Sequence, residues 1–148
     1  MTSRSVVLKP RGRSWKLAVV ALIAVVVALG FFRQRSAANA KRREASYQAG
    51  LRSYSATLKP GMSRLDVEAF LTKGGKTFRQ QCCIGGTSKN AWDDLVKIGE
   101  EDTPWYCSEH IVYIALEFNS SGTQKLPTAG PEDVLTRVSI YRQLEGCL

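Results

Sequence analysis

The run Leu17–Phe32, LAVVALIAVVVALGFF, holds sixteen consecutive residues without a charged or hydrogen-bonding side chain, and it constrains the fold more than any other feature of the chain. Trp15 and Lys16 extend the run to eighteen, because a Trp ring favours the membrane interface and a Lys stem can lie along apolar surface with its amine in water. Eighteen helical residues span about 27 Å, close to a hydrocarbon core about 30 Å thick. Eleven of the sixteen are Leu, Ile, Val or Phe. At roughly −0.3 to −0.6 kcal/mol each, they favour insertion by about 3 to 7 kcal/mol. A chain of 148 residues supports one ordinary domain, too little protein to bury such a helix in a water-soluble core. The spacing predicts a transmembrane helix over 15–32.

Charge follows this segment. The formal net charge is +8, yet residues 1–43 carry ten basic and no acidic side chains, whereas 44–148 carry eleven basic and thirteen acidic ones. A nucleic-acid footprint belongs on the folded part, so that partner class is set aside. The basic groups beside the apolar run suit anionic lipid instead. The expected organisation is a basic cytoplasmic tail at 1–14, the span at 15–32, a juxtamembrane linker at 33–40 and a folded domain at 41–148.

Ala38-Asn39-Ala40 also reads as a signal-peptidase site, which gives secretion after cleavage following Ala40 as the alternative. Arg33 and Arg35 between the apolar run and that site, and the length of the run, favour an uncleaved signal-anchor. Five basic residues precede the span and five follow it before Glu44, so the positive-inside comparison is a tie. The cysteines break it. Cys82, Cys83, Cys107 and Cys147 all follow the span, and an even number in a small domain suits an oxidising compartment. This predicts a single-pass inner-membrane protein with 41–148 in the periplasm.

Within 41–58, Tyr47, Leu51, Tyr54 and Leu58 form one helical stripe, ended by Pro60-Gly61. A second helix starts at an N-cap Ser63 with Asp66 three residues on and Met62 placed to pack on Val67. Leu65, Phe70 and Leu71 continue its apolar side, and Gly74-Gly75 ends it. Thr77–Ile84 reads as a strand and Ala91–Ile98 as a short amphipathic turn or helix. His110–Phe118 alternates clearly as a strand, and Val134–Leu144 is a third, with Val138 and Ile140 inward and Arg137, Ser139 and Tyr141 opposite. The expected fold class is α+β: a single transmembrane helix, then a small domain of two helices and a three-stranded antiparallel sheet.

The cysteine spacing is not that of a zinc site or a C-x-x-C redox motif. Two structural disulfides are expected. Neighbours on a strand point to opposite faces, so Cys82 and Cys83 should take different partners, with Cys83–Cys107 and Cys82–Cys147 preferred over the converse pairing.

No catalytic, metal-binding or cofactor-binding residues are expected. His110 lacks partners for a triad, and Gly74-Gly75 and Gly85-Gly86 are turn signals. Asp93-Asp94 and Glu100-Glu101-Asp102 read as solvated acidic faces. Trp92, Trp105 and Tyr106 are the candidate contact surface.

The stretch Leu58–Leu71, LKPGMSRLDVEAFL, resembles the helix–turn–helix signature of the SmpA/OmlA, or BamE-like, envelope domains through Gly61, Met62, Ser63, Val67 and Leu71. The resemblance implies a non-catalytic binding or scaffolding role in the cell envelope, with another envelope protein or a second copy as partner. This chain departs from the family in lacking a lipoprotein cysteine near 33–41, in ending its second helix with Lys73-Gly74-Gly75, and in carrying four extra cysteines. A periplasmic ligand-binding, sensor or inhibitor domain is the alternative.

Overall fold

Between Pro10 and Pro60 the chain has no proline, and it forms one uninterrupted helix, α1, over Gly12–Thr57. The computed structural model describes residues 12–82, 84, 91–120 and 128–148. Residues 33–40, expected as a linker, belong to α1. The chain divides between Arg43 and Glu44 into two compact units. In the first, α1 is long and apolar enough to cross a membrane: its best window has a mean hydropathy of 2.3 and is 0% buried. A core helix of a water-soluble protein would instead be covered.

The second unit begins with the stripe the spacing predicts. Tyr47 and Leu58 are buried, and Leu51 and Tyr54 pack against the same core. Pro60-Gly61 turns the chain, with Gly61 at φ 97°. Ser63 caps α2, Arg64–Lys73: its Oγ accepts from the Asp66 N–H at 3.2 Å and donates to Asp66 Oδ2 at 2.7 Å. The buried face of α2 corrects the expected one. Arg64, Val67 and Leu71 are buried, whereas Leu65 and Phe70 stay exposed. Positions 64, 67 and 71 lie one helical turn apart; an arginine heads the stripe.

The sheet is antiparallel with order β1-β2-β3-β4, and it has four strands rather than the three expected: β1 Arg79–Cys82, β2 Trp92–Glu100, β3 Glu109–Asn119 and β4 Val134–Glu145. The additional strand is β2, where a turn or helix was expected. Asp93, Asp94, Leu95 and Val96 are all buried, so both faces of β2 are covered and its sequence shows no period of two. Val96, Ile114, Leu116, Phe118 and Leu135 join Leu58, Val67 and Leu71 under the helices, flanked by Val138 and Ile140. Leu95, Ile111, Tyr113 and Ala115 form a second cluster with Tyr141, and Arg79 lays its guanidinium over the Tyr113 ring at 4.7 Å.

Neither expected disulfide pairing forms. Cys107 is bonded to Cys147, which excludes both Cys83–Cys107 and Cys82–Cys147. The β3–β4 register explains why. Glu109 faces Glu145, so two residues further out on each strand Cys107 faces Cys147. Cys82 lies on β1, three strands from β4, or roughly 14 Å at sheet spacing. Cys82 is itself disulfide-bonded, and Cys83 lies outside the described residues.

Tyr47 seats α1 on the sheet. Its hydroxyl donates to the Glu100 carbonyl at 2.9 Å, and a Cβ at Gly99 would lie 2.6 Å from its ring. Gly99→Ala should therefore destabilise the unit by about 1–3 kcal/mol in urea unfolding. In a Tyr47→Leu background the same change should cost clearly less, because the clashing ring is gone.

Candidate binding groove

Where α1, the end of α2 and β2 meet, the second unit leaves an open groove of about 450 Å³, lined among others by Tyr47, Gly50, Tyr54, Phe70, Lys76 and Ile98. β1 stops pairing at Arg79↔Leu95. No described strand continues along the outer side of β2, so Val96–Glu100 form an open sheet edge at the groove. Gly50 keeps the helix side low: a Cβ there would meet nothing within 4 Å. Phe70, missing from the core, supplies an apolar wall. Lys76 and Lys97 also line the groove, with Lys97 paired to Glu100 at 2.6 Å. Aromatic walls, hydroxyls of Ser46 and Ser53 and a strand edge without a described strand partner, its Glu100 carbonyl taken by Tyr47, suit capture of an extended peptide.

Beneath α2 lies a closed charge cluster. Arg64 is 2% exposed and Asp94 is 0% exposed. Arg64 Nη1 donates to Asp94 Oδ1 at 2.5 Å, Nη2 donates to the Trp92 carbonyl, and Nε lies 3.4 Å from Asp133 Oδ2. The guanidinium also stacks over Phe118 at 3.9 Å. Glu68 approaches Nη1 to 3.9 Å, so one cation faces three carboxyl groups. Asp94 Oδ2 has no hydrogen-bond partner. Burial pushes the Asp94 carboxyl up to about 7, against the pull of Arg64 and with a further push from Glu68.

The other buried acids are held by donors. Asp93 accepts from the Ile84 N–H at 2.8 Å and the Phe118 N–H at 3.1 Å. Asp133 closes its turn through the Gly130 N–H at 2.8 Å. Glu117 accepts a bidentate pair from Arg137 at 2.8 and 2.9 Å and a bond from Ser139 at 2.8 Å. The expected solvated face at Asp93-Asp94 is thus overturned: both carboxylates organise the interior.

Of the candidate contact aromatics, the structure brings Trp105 and Tyr106 together, edge to face at 5.8 Å. Trp92 starts β2 and the pair follows its far end, so roughly 26 Å of strand separates them. His110 stands 3.7 Å from Glu101, and Arg142 bridges Glu101 at 3.0 Å and Glu44 at 2.6 Å. Sequence reasoning missed Arg64, Asp94 and the groove residues Gly50 and Phe70. The 64/67/71 spacing was the available signal for Arg64. No family model, curated protein or solved structure matches the chain.

Asp94 carries a pH prediction. The folded state holds a proton that the unfolded chain releases near 3.8. This contribution is complete below about pH 4 and is lost as pH rises through about 7. The stability of the native protein relative to Asp94→Asn should therefore fall across that window, by at most about 4 kcal/mol at about 1.4 kcal/mol per pH unit. Urea unfolding of both proteins from pH 4 to 8 checks it.

Proposed function

We propose that the chain is a membrane-anchored envelope protein whose folded unit, 44–148, is a non-catalytic binding or scaffolding module in the periplasm. The observation that carries this reading is the groove beside the open Val96–Glu100 edge of β2. An extended segment of another envelope protein can add there as a strand, its side chains alternating between Tyr54–Phe70 and solvent. A BamE-like identity is part of the proposal, supported by the Pro60–Leu71 turn and capped helix leading into an antiparallel sheet.

Several features support the location. The exposed apolar part of α1 matches a span in length, and the Cys107–Cys147 bond fits an oxidising compartment. α1 continues unbroken through Ala38-Asn39-Ala40, and the length of its apolar run exceeds that of a signal-peptide core; this favours retention of the anchor over secretion. The groove volume of about 450 Å³ also falls in the range of small-molecule sites, which favours a periplasmic ligand-binding or sensor role as the second reading.

A Cβ at Gly50 meets nothing within 4 Å, so Gly50→Trp places an indole in the groove. It should leave the unit folded while abolishing crosslinks from a photoreactive residue at Lys97 in intact cells. Wild-type protein should yield a discrete adduct from the same position. The absence of any adduct in the wild type would sink the scaffolding role, and a small-molecule shift in Tm without an adduct would favour the second reading.

A further inference from the structure

Five basic residues follow the apolar run before the first acid, Glu44, and they do not share one side of α1. Arg35 and Arg42 stand two helical turns apart on one face, with Ala38 and Asn39 between them. These four residues line an open cleft of about 450 Å³ on the helix surface. The cleft exists because Ala38, one turn before Arg42, offers only a methyl group as its floor. Arg33 and Lys41 lie about 160° and 120° around the helix axis from Arg35, and neither lines it.

The cleft is braced at its apolar end. Arg35 lays its guanidinium over the Phe31 ring at 4.9 Å, one turn toward the apolar run. Arg35, Asn39 and Arg42 are exposed, and among the described residues neither arginine meets a carboxylate. Side chains on a helix lean toward its N-terminus, so Arg42 and Asn39 lean back toward Arg35. Two guanidinium forks and one amide around a gap match the oxygens of a phosphate.

Position and charge say which phosphate. Arg35 lies about 4.5 Å along the axis beyond Phe32, inside a headgroup layer roughly 5–7 Å thick on each side of the hydrocarbon. Arg42 starts about 15 Å beyond Phe32 and reaches back toward that layer. Zwitterionic headgroups carry a cation beside the phosphate, and residues 1–43 hold no acid to receive it. An anionic headgroup brings no such cation.

We propose that Arg35, Asn39 and Arg42 form a binding site for the phosphate of one anionic phospholipid headgroup, of the phosphatidylglycerol class, with Ala38 as its floor. The inference rests on α1 being a membrane anchor. It differs from the general attraction of basic groups to an anionic surface in requiring a face and a gap as well as charge.

The test reconstitutes the full chain into phosphatidylcholine vesicles holding a minority of phosphatidylglycerol. The protein is then extracted in a mild nonionic detergent, and its retained phospholipids are counted by native mass spectrometry. In detergent the field of the vesicle surface is gone, so only a lipid held by contact stays. The wild-type chain is expected to retain phosphatidylglycerol in preference to phosphatidylcholine. Arg35→Gln combined with Arg42→Gln should cut that retention roughly tenfold or more, at about fivefold per basic group. Arg33→Gln combined with Lys41→Gln removes the same charge from other faces and should keep the lipid. Ala38→Leu keeps every charge and a strong helix former while filling the floor, and it should lose the lipid. Excess inorganic phosphate should not displace it. If the wild-type chain fails to float with the vesicles before extraction, the anchor and this inference fall together. If it floats, four results each overturn the inference alone: equal retention of both lipids, equal loss in the two double variants, an unaffected Ala38→Leu chain, or displacement by phosphate, which would assign the cleft to a free anion.

Discussion

The burial of one guanidinium organises the second unit. Arg64 opens α2, where the positive end of the helix makes a cation unfavourable, and it has lost its water. Such a charge is tolerable only when its field is met at close range. Asp94 on β2, the Trp92 carbonyl, the Phe118 ring on β3 and Asp133 before β4 supply that field. Three segments distant in sequence from α2 must therefore converge on one side chain. Burial, with a further push from Glu68, raises the Asp94 carboxyl to about 7 against the pull of Arg64.

Fixing α2 also decides which sheet edges stay open. With Arg64 anchored, Gly61 donates to the Leu135 carbonyl, Leu135 donates back to Met62, and Arg64 donates to Asp133, each between 2.7 and 2.8 Å. The turn before α2 thus covers the start of β4. Beyond it the outer strand carries Arg137 and Arg142, charges of the kind that discourage edge pairing. The free stretch of β2 is different. Val96, Ile98 and Gly99 accompany a single Lys97, and an aromatic groove adjoins them. Of these two stretches, the one on β2 left uncovered by β1 has the chemistry of a docking edge and β4 that of a guarded one.

The helices were legible because their signals are local. The 47/51/54/58 stripe, the Ser63–Asp66 cap and the Pro60-Gly61 turn act within a few residues, and the β-branched and aromatic run 111–118 marks a strand whose two faces are both buried. β2 was hidden because both its faces are covered and its two aspartates imitate a surface. Their partners, Arg64 and the backbone N–H groups of Ile84 and Phe118, become neighbours only after folding. The disulfide needed the β3–β4 register, which turns Cys107 and Cys147 into facing positions. Half of the groove was visible as Tyr47 and Tyr54 in the stripe. Gly50 and Phe70 were not, because an open space between elements leaves no mark on any one of them.

The pattern of α1 changes along its length without a break in backbone. From Leu17 to Phe32 α1 is apolar on every side, which suits lipid and nothing aqueous. From Tyr47 onward only one stripe is apolar, which suits a sheet. The intervening residues are rich in Ala, Arg and Lys, strong helix formers whose charges cannot stay in hydrocarbon. That composition keeps the helix continuous while marking where the apolar environment ends. The acids begin at Glu44, where the second unit supplies Arg142 as a counter-charge. Seven of the ten basic residues of 1–43 thus lie on this single helix, and the folded unit is near neutral by itself.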